Sequence, residues 1–140
     1  RLSLFAAEKI LDDIDNILND KAIFKPQDQD KATYATKILK SEGKIDWLES
    51  SENTIGKING LYQNPGAWFI HKGERYKILK AEISHKKGKA GEVLSDNLDI
   101  ACKEGSIKII EIQREGKRSQ KINEFILGSK IKKGSNLKDA

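Results

Sequence analysis

Apolar residues at Leu4, Ala7, Leu11, Ile14 and Leu18 recur every three or four positions, the period of one helix face, and predict an amphipathic helix over residues 2–19. Asp12, Asp13, Asp15 and Asp20 occupy its other face. A face this apolar needs a surface to cover, and the expectation is that this surface lies outside the chain. The pattern then lapses. The run KPQDQDKATYATK is polar and without sustained period, and Pro26 disfavours helix around it, so residues 21–46 read as a linker. A shorter helix is predicted from about Ser51 to Tyr62, capped by Ser50 or Ser51. Ile55, Ile58 and Tyr62 are its expected buried stripe, and Asn64-Pro65-Gly66 its stop.

Beyond Gly66 the period changes to two. AWFIH, RYKILKAEIS, GEVLS, NLDIACK and SIKIIEIQRE are predicted strands, separated by turn-forming residues. Two of them change parity partway. One runs Tyr76 and Ile78, then Leu79, Ala81 and Ile83; the other runs Ile107 and Ile109, then Ile110 and Ile112. Such a slip implies a bulge or sharp coil, the device by which a small sheet curls. Ser119 to Leu127 is predicted as a last helix stopped by Gly128. The expected fold is mainly β with flanking helices: a small, closed or partly open OB-like β-barrel over residues 47–140, preceded by a helix and a linker.

Composition narrows the function classes. No apolar run approaches the roughly 20 residues of a membrane span, so a soluble chain is expected. The lone Cys102 excludes an internal disulfide framework and fits the cytoplasm; it reads as a small core residue. The start, Arg1-Leu2-Ser3-Leu4, has neither an initiator Met nor a signal-peptide pattern, which reads as a piece of a longer protein. Net charge is +5 but uneven: residues 1–30 carry 4 basic and 7 acidic side chains, residues 31–140 carry 22 and 14. The basic part attracts phosphate backbones. Lysine outnumbers arginine 22 to 4, which a coding bias alone would also produce.

Ala32-Thr33-Tyr34-Ala35, then Lys37-Ile38, Glu42 and Ile45-Asp46-Trp47 resemble the linker of the methionyl-tRNA formyltransferase family. The likeness continues through Pro65-Gly66-Ala67-Trp68, Tyr76-Lys77-Ile78, Gly91-Glu92-Val93-Leu94, Gly116-Lys117-Arg118, Phe125-Ile126-Leu127-Gly128 and Gly134-Ser135-Asn136-Leu137. Thr36 stands where the family usually has Pro, and Ile58-Asn59 where it often has Ile-Arg. The resemblance implies an enzyme that moves a formyl group from 10-formyltetrahydrofolate to the amino group of methionyl initiator tRNA. It implies that residues 1–20 are the last helix of an N-terminal catalytic domain and that 47–140 form a tRNA-holding barrel. The implied partners are that domain and initiator methionyl-tRNA. Folate is the co-substrate of the other domain, and no cofactor or metal is expected in this chain.

The residues agree with a non-catalytic role. Formyl transfer to an amine needs a general base and a group that stabilises the oxyanion. His71 and His85 are the only histidines, without an Asn–His–Asp constellation around either. The candidate RNA contacts are therefore cationic. Lys37, Lys40 and Lys44 lie on the linker; Arg75, Lys77 and Lys80 on one strand; Arg114, Lys117, Arg118 and Lys121 around a loop. The last group ranks first, because it holds two of the four arginines. The lysines of 86–89 read as solvated charge, and Lys130, Lys132 and Lys133 form a further cluster. Trp68, Phe69 and Tyr76 are expected in the core, so contacts should go to phosphate and sugar rather than to stacked bases. Two other readings stay open. One is a scaffold domain of an amino-sugar formyltransferase or folate dehydrogenase; the other is a free-standing basic OB module.

Overall fold

In the computed structural model, which describes residues 1–138, the chain divides into two compact units, Arg1–Thr36 and Lys37–Ala140. The first holds α1 (Leu2–Leu18) and a 3₁₀ turn at Gln29–Lys31. The predicted amphipathic helix forms, and its Leu4, Leu11 and Leu18 are 70%, 75% and 74% exposed. No residue of α1 is buried, so its apolar face has no cover among the described residues.

The second unit is built on an antiparallel sheet. Its elements in order are a 3₁₀ turn at Lys40–Gly43, α2 (Ser51–Gly60), β1 (Ala67–His71), β2 (Glu74–Ser84), β3 (Asp99–Ala101), β4 (Ser106–Arg114), β5 (Ser119–Lys121) and α3 (Ile122–Gly128). The strand order is β1-β2-β4-β3, with β5 also pairing β4. All four pairings are antiparallel. The sheet is open: β1 and β3 do not pair, and single bridges, Lys44 to Trp68 and Val93 to Ile100, meet its edges.

The two parity slips turn out to be one feature. Along β2 and β4, Ile78 faces Ile112, Lys80 faces Glu111 and Ala81 faces Ile109. Leu79 and Ile110 are thus skipped at the same point, and the core spacing becomes Ile107, Ile109, Ile112. Register is restored beyond it, so the slip changes which face residues occupy without breaking the ladder. The core gathers Phe69, Ile78, Ile100, Ile107, Ile109 and Ile112 from the sheet, Val93 and Leu98 from the turn before β3, Ile58 from α2 and Phe125 from α3. Burying each such side chain contributes roughly 1.5–3 kcal/mol.

Several local expectations are corrected. Gly91–Ser95 is not a strand: only Glu92 and Val93 make single bridges, because the chain turns back at once, Leu94 N–H donating to Asp99 O at 2.7 Å. That turn shortens the next strand to Asp99–Ala101. Ser119–Lys121 is a strand rather than the start of a helix, since pairing with Glu111–Gln113 outweighs local preference. α2 begins at the Ser50 cap, whose Oγ accepts from Asn53 N–H at 3.1 Å, but ends at Gly60. Tyr62 therefore falls in the following turn and is exposed; Ser51, Thr54 and Ile58 are the helix's buried residues. Trp68 is not core. In β1 Ala67, Phe69 and His71 point inward, so strand alternation sends Trp68 and Ile70 outward.

Candidate nucleic-acid interface

The outward face of the sheet collects cations by register. Trp68 of β1 lies opposite Lys77 of β2, which lies opposite Gln113 of β4, which lies opposite Ser119 of β5. One row on, Lys80, Glu111 and Lys121 face one another across three strands. Three residues apart, Lys77 and Lys80 would point to opposite faces of a regular strand; the slip at Leu79 returns Lys80 to the side of Lys77. Arg75 joins them, its guanidinium 5.5 Å from the centre of the Trp68 ring and ion-paired with Glu115. Lys77 Nζ donates to Gln63 O at 3.1 Å.

The group from Arg114 to Lys121 is divided by the sheet. Arg114 lies opposite Tyr76, on the other parity from Gln113, and its guanidinium pairs with Glu74. Glu74 also accepts from Tyr76 OH at 2.7 Å; this bond and Arg114 hold its carboxyl below the ordinary range. Burial, then the Glu74 bond, pushes the Tyr76 hydroxyl up to about 12. Lys117 and Arg118 stand exposed in the β4–β5 turn, which Gln113 Nε2 closes by donating to Lys117 O at 2.8 Å. Lys121 belongs with the sheet face.

The linker lysines are not on a helix. Lys40 opens the short 3₁₀ turn and Lys44 follows it, and Lys37, Lys40 and Lys44 are all exposed. Trp68 Nε1 donates to Lys40 O at 3.0 Å, Ile45 N–H to Trp68 O at 2.8 Å, and Lys57 Nζ to Lys44 O at 3.1 Å. The segment thereby lies along β1, beside Arg75 and Lys77. Among the described residues, the side chains of Lys37, Lys40, Lys44, Lys80, Lys117, Arg118 and Lys121 enter no hydrogen bond or ion pair. They are available to an external anion; Arg75 and Arg114 are already engaged.

Three further titratable groups of the sheet-bearing unit are shifted by their surroundings. His71 is buried, its Nε2 without a partner among the described residues, and burial followed by Lys72 lowers its pKa. Cys102 is buried with Sγ 3.7 Å from Thr54 Oγ1, and burial pushes its thiol up, away from the reactive thiolate. Asp99 is a buried carboxylate. Burial would raise its pKa, but Lys86 and the hydroxyls of Ser95 and Ser84 outweigh that and hold it low. Lys86 is thus pinned at the base of its loop rather than free in solvent.

His71 carries a pH prediction. A His whose folded pKa is depressed contributes stability above its unfolded value, about 6.5, and that stability is lost as pH falls below it. Asp99 behaves likewise, but from about 3.9 downward. Thermal midpoints of the chain should therefore fall between pH 7 and pH 5, and His71→Leu should flatten that fall while leaving the loss below pH 4. An unchanged pH 7 to pH 5 profile in the variant would remove His71 as the cause.

The model of the formyl transferase, C-terminal domain family matches residues 37–130, the greater part of the sheet-bearing unit. The chain belongs to this family. Curated relatives named methionyl-tRNA formyltransferase share 59% identity over 138 residues (Pelagibacter ubique) and 44% over 115 residues (Bradyrhizobium diazoefficiens). These matches cover 98% and 79% of this chain but only 44% and 37% of the relatives, so the chain spans less than half their length. Among solved structures, HypX from Aquifex aeolicus is similar at a TM-score of 0.64 and 22% identity, covering 89% of this chain and 24% of that one. A second HypX structure, in complex with tetrahydrofolic acid, gives 0.63 at 22% identity, covering 88% and 22%. At that identity the likeness is one of fold.

Within this formyl transferase C-terminal domain, sequence reasoning missed Trp68 and Gln113 as residues of the cationic face. Strand alternation could have found Trp68, since Phe69 beside it must take the inward position. Gln113 carries no signal of its own.

Proposed function

We propose that this chain is the tRNA-holding C-terminal part of a methionyl-tRNA formyltransferase, acting in the cytoplasm in translation initiation. In this reading residues 1–20 are the last helix of a catalytic domain, 21–46 the linker, and 47–140 an OB-like domain whose open sheet corresponds to a partly open barrel. The whole enzyme would transfer a formyl group from 10-formyltetrahydrofolate to the amino group of methionyl initiator tRNA. The folate is a substrate of the other domain, and the present residues contribute no step through it. What they contribute is position. The observation that carries the reading is the run of unpaired cations, Lys37, Lys40 and Lys44 beside β1, Lys80 and Lys121 on the sheet, and Lys117 and Arg118 at its turn. Such side chains grip phosphates, fixing an RNA's orientation without reading its bases.

One experiment separates the readings. The chain is titrated with initiator tRNA and, in parallel, with an unrelated RNA hairpin as salt is raised. A steep linear fall of log affinity with log salt supports the cradle. Similar affinity for both RNAs places discrimination in the catalytic domain. The rival scaffold reading draws on Arg75, Arg114 and Lys86, whose charges are already met by Glu115, Glu74 and Asp99. It predicts no binding of either RNA at low salt by a folded chain.

A further inference from the structure

The geometry points to Trp68 as a positioning residue: its indole fastens the Lys37–Lys44 segment to the edge of β1 before any RNA arrives. Only the consequence for RNA rests on the tRNA reading above; the fastening itself does not.

The segment has little of its own to hold it. Ile38 and Leu39 are 50% and 60% exposed, so its apolar side chains offset little of the entropy lost when the backbone is fixed. Besides the bond from Lys57 Nζ to Lys44 O, the hydrogen bonds that tie it to the rest of the unit pass through Trp68. The indole N–H donates to Lys40 O at 3.0 Å, and the Trp68 carbonyl accepts from Ile45 N–H at 2.8 Å. Between these points the chain passes the ring at Gly43. A Cβ there would lie 2.3 Å from Gly66 O and 3.0 Å from Cδ1 and Nε1 of the indole. The approach is therefore possible only without a side chain.

The same ring gathers cations. Arg75 sits over it, Lys77 lies opposite it in the ladder, and the backbone of Lys40 is bound to its edge. Cations from two stretches more than thirty residues apart in sequence thus converge around one side chain. Lysines held in place beforehand lose less freedom on meeting a phosphate, so the clasp raises affinity by preorganisation rather than by adding charge. Arg75 and Gly43 already occupy one face and one edge of the Trp68 ring.

Two variants of the 140-residue chain test this. Trp68→Phe keeps an aromatic ring but removes the donor to Lys40; Gly43→Ala pushes the segment away and leaves Trp68 intact. Each is subjected to limited trypsin, with cleavage after Lys37, Lys40 and Lys44 followed by mass spectrometry. The expected result is roughly three- to tenfold faster cleavage there, the loss set by one hydrogen bond, with the sheet's thermal midpoint nearly unchanged. Initiator tRNA affinity at low salt should fall several-fold while the salt slope stays as in the parent, because every lysine is still present. Unchanged cleavage in both variants overturns the clasp. Faster cleavage with unchanged tRNA affinity overturns its positioning role. If the parent chain binds no tRNA at all, the functional reading fails instead, and the cleavage rates still decide the clasp.

Discussion

Replacing Phe69 with alanine is expected to remove about 3–5 kcal/mol of folding stability, a large share of the roughly 5–15 kcal/mol a small domain has. Phe69 is 1% exposed and joins a chain of rings. Its ring meets Trp47 edge-on at 5.9 Å, stacks on Tyr76 at 5.5 Å, and Tyr76 in turn meets Phe125 edge-on at 5.8 Å. Phe69 therefore joins the segment after the linker to the β1–β2 hairpin, and through Tyr76 to α3. Truncation loses transfer energy and leaves a cavity that the flanking strands cannot close without breaking their ladder. The outward neighbour Ile70, only partly buried, should cost far less when changed to alanine. Urea unfolding of both variants checks the contrast. A loss under about 1.5 kcal/mol for Phe69→Ala would mean the sheet does not fold around these rings.

The second large effect is electrostatic. If the chain holds tRNA as proposed, changing Lys37, Lys40, Lys44, Lys77 and Lys121 together to glutamine should cut the salt dependence of binding to the part that Lys80, Lys117 and Arg118 carry. Counterion release relates each neutralised phosphate to a slope of about 0.9 in log affinity against log salt on duplexes. Removing five contacts then makes the affinity loss between 50 and 200 mM salt about 500-fold smaller in the variant than in the parent chain. Folding should be preserved: four of the five side chains have no partner among the described residues, and Lys77 gives up a single bond to Gln63 O. Binding measured across that salt range checks it. An unchanged slope would move the RNA surface elsewhere, to the Lys130–Lys133 region first. A slope lost altogether, although Lys80, Lys117 and Arg118 are untouched, would rank the linker side of the sheet above the turn.

That ranking bears on how the site could be read in advance. The loop from Arg114 to Lys121 was placed first because arginine is scarce in this chain, but scarcity says nothing about pairing. Glu74, forty residues earlier, meets Arg114 only because β2 lies against β4. Glu115 likewise claims Arg75. The three linker lysines, by contrast, stand out by charge and spacing, a pattern that a helix would gather on one side and an extended chain would scatter. They are exposed as expected, but along an extended edge with one short 3₁₀ turn. Their role in the proposal does not turn on local conformation, since it depends on proximity to β1 and not on helical phase.

Local pattern determined much of the architecture. The three-to-four spacing from Leu4 to Leu18 specifies α1, the Ser50 cap specifies where α2 begins, and the alternation in AWFIH, RYKILKAEIS and SIKIIEIQRE specifies the long strands. Even the bulge was legible, because a parity change in two strands records it directly. These features follow from neighbours a few residues apart, where periodicity and side-chain chemistry act without help. The tertiary structure decided whatever depends on partners far along the chain: that Ser119–Lys121 pairs as a strand, that the sheet stays open, that Asp99 holds Lys86, and that Trp68 leaves the core to hold Lys40. In each case the deciding energy is a contact between residues six or more apart, which no local period contains.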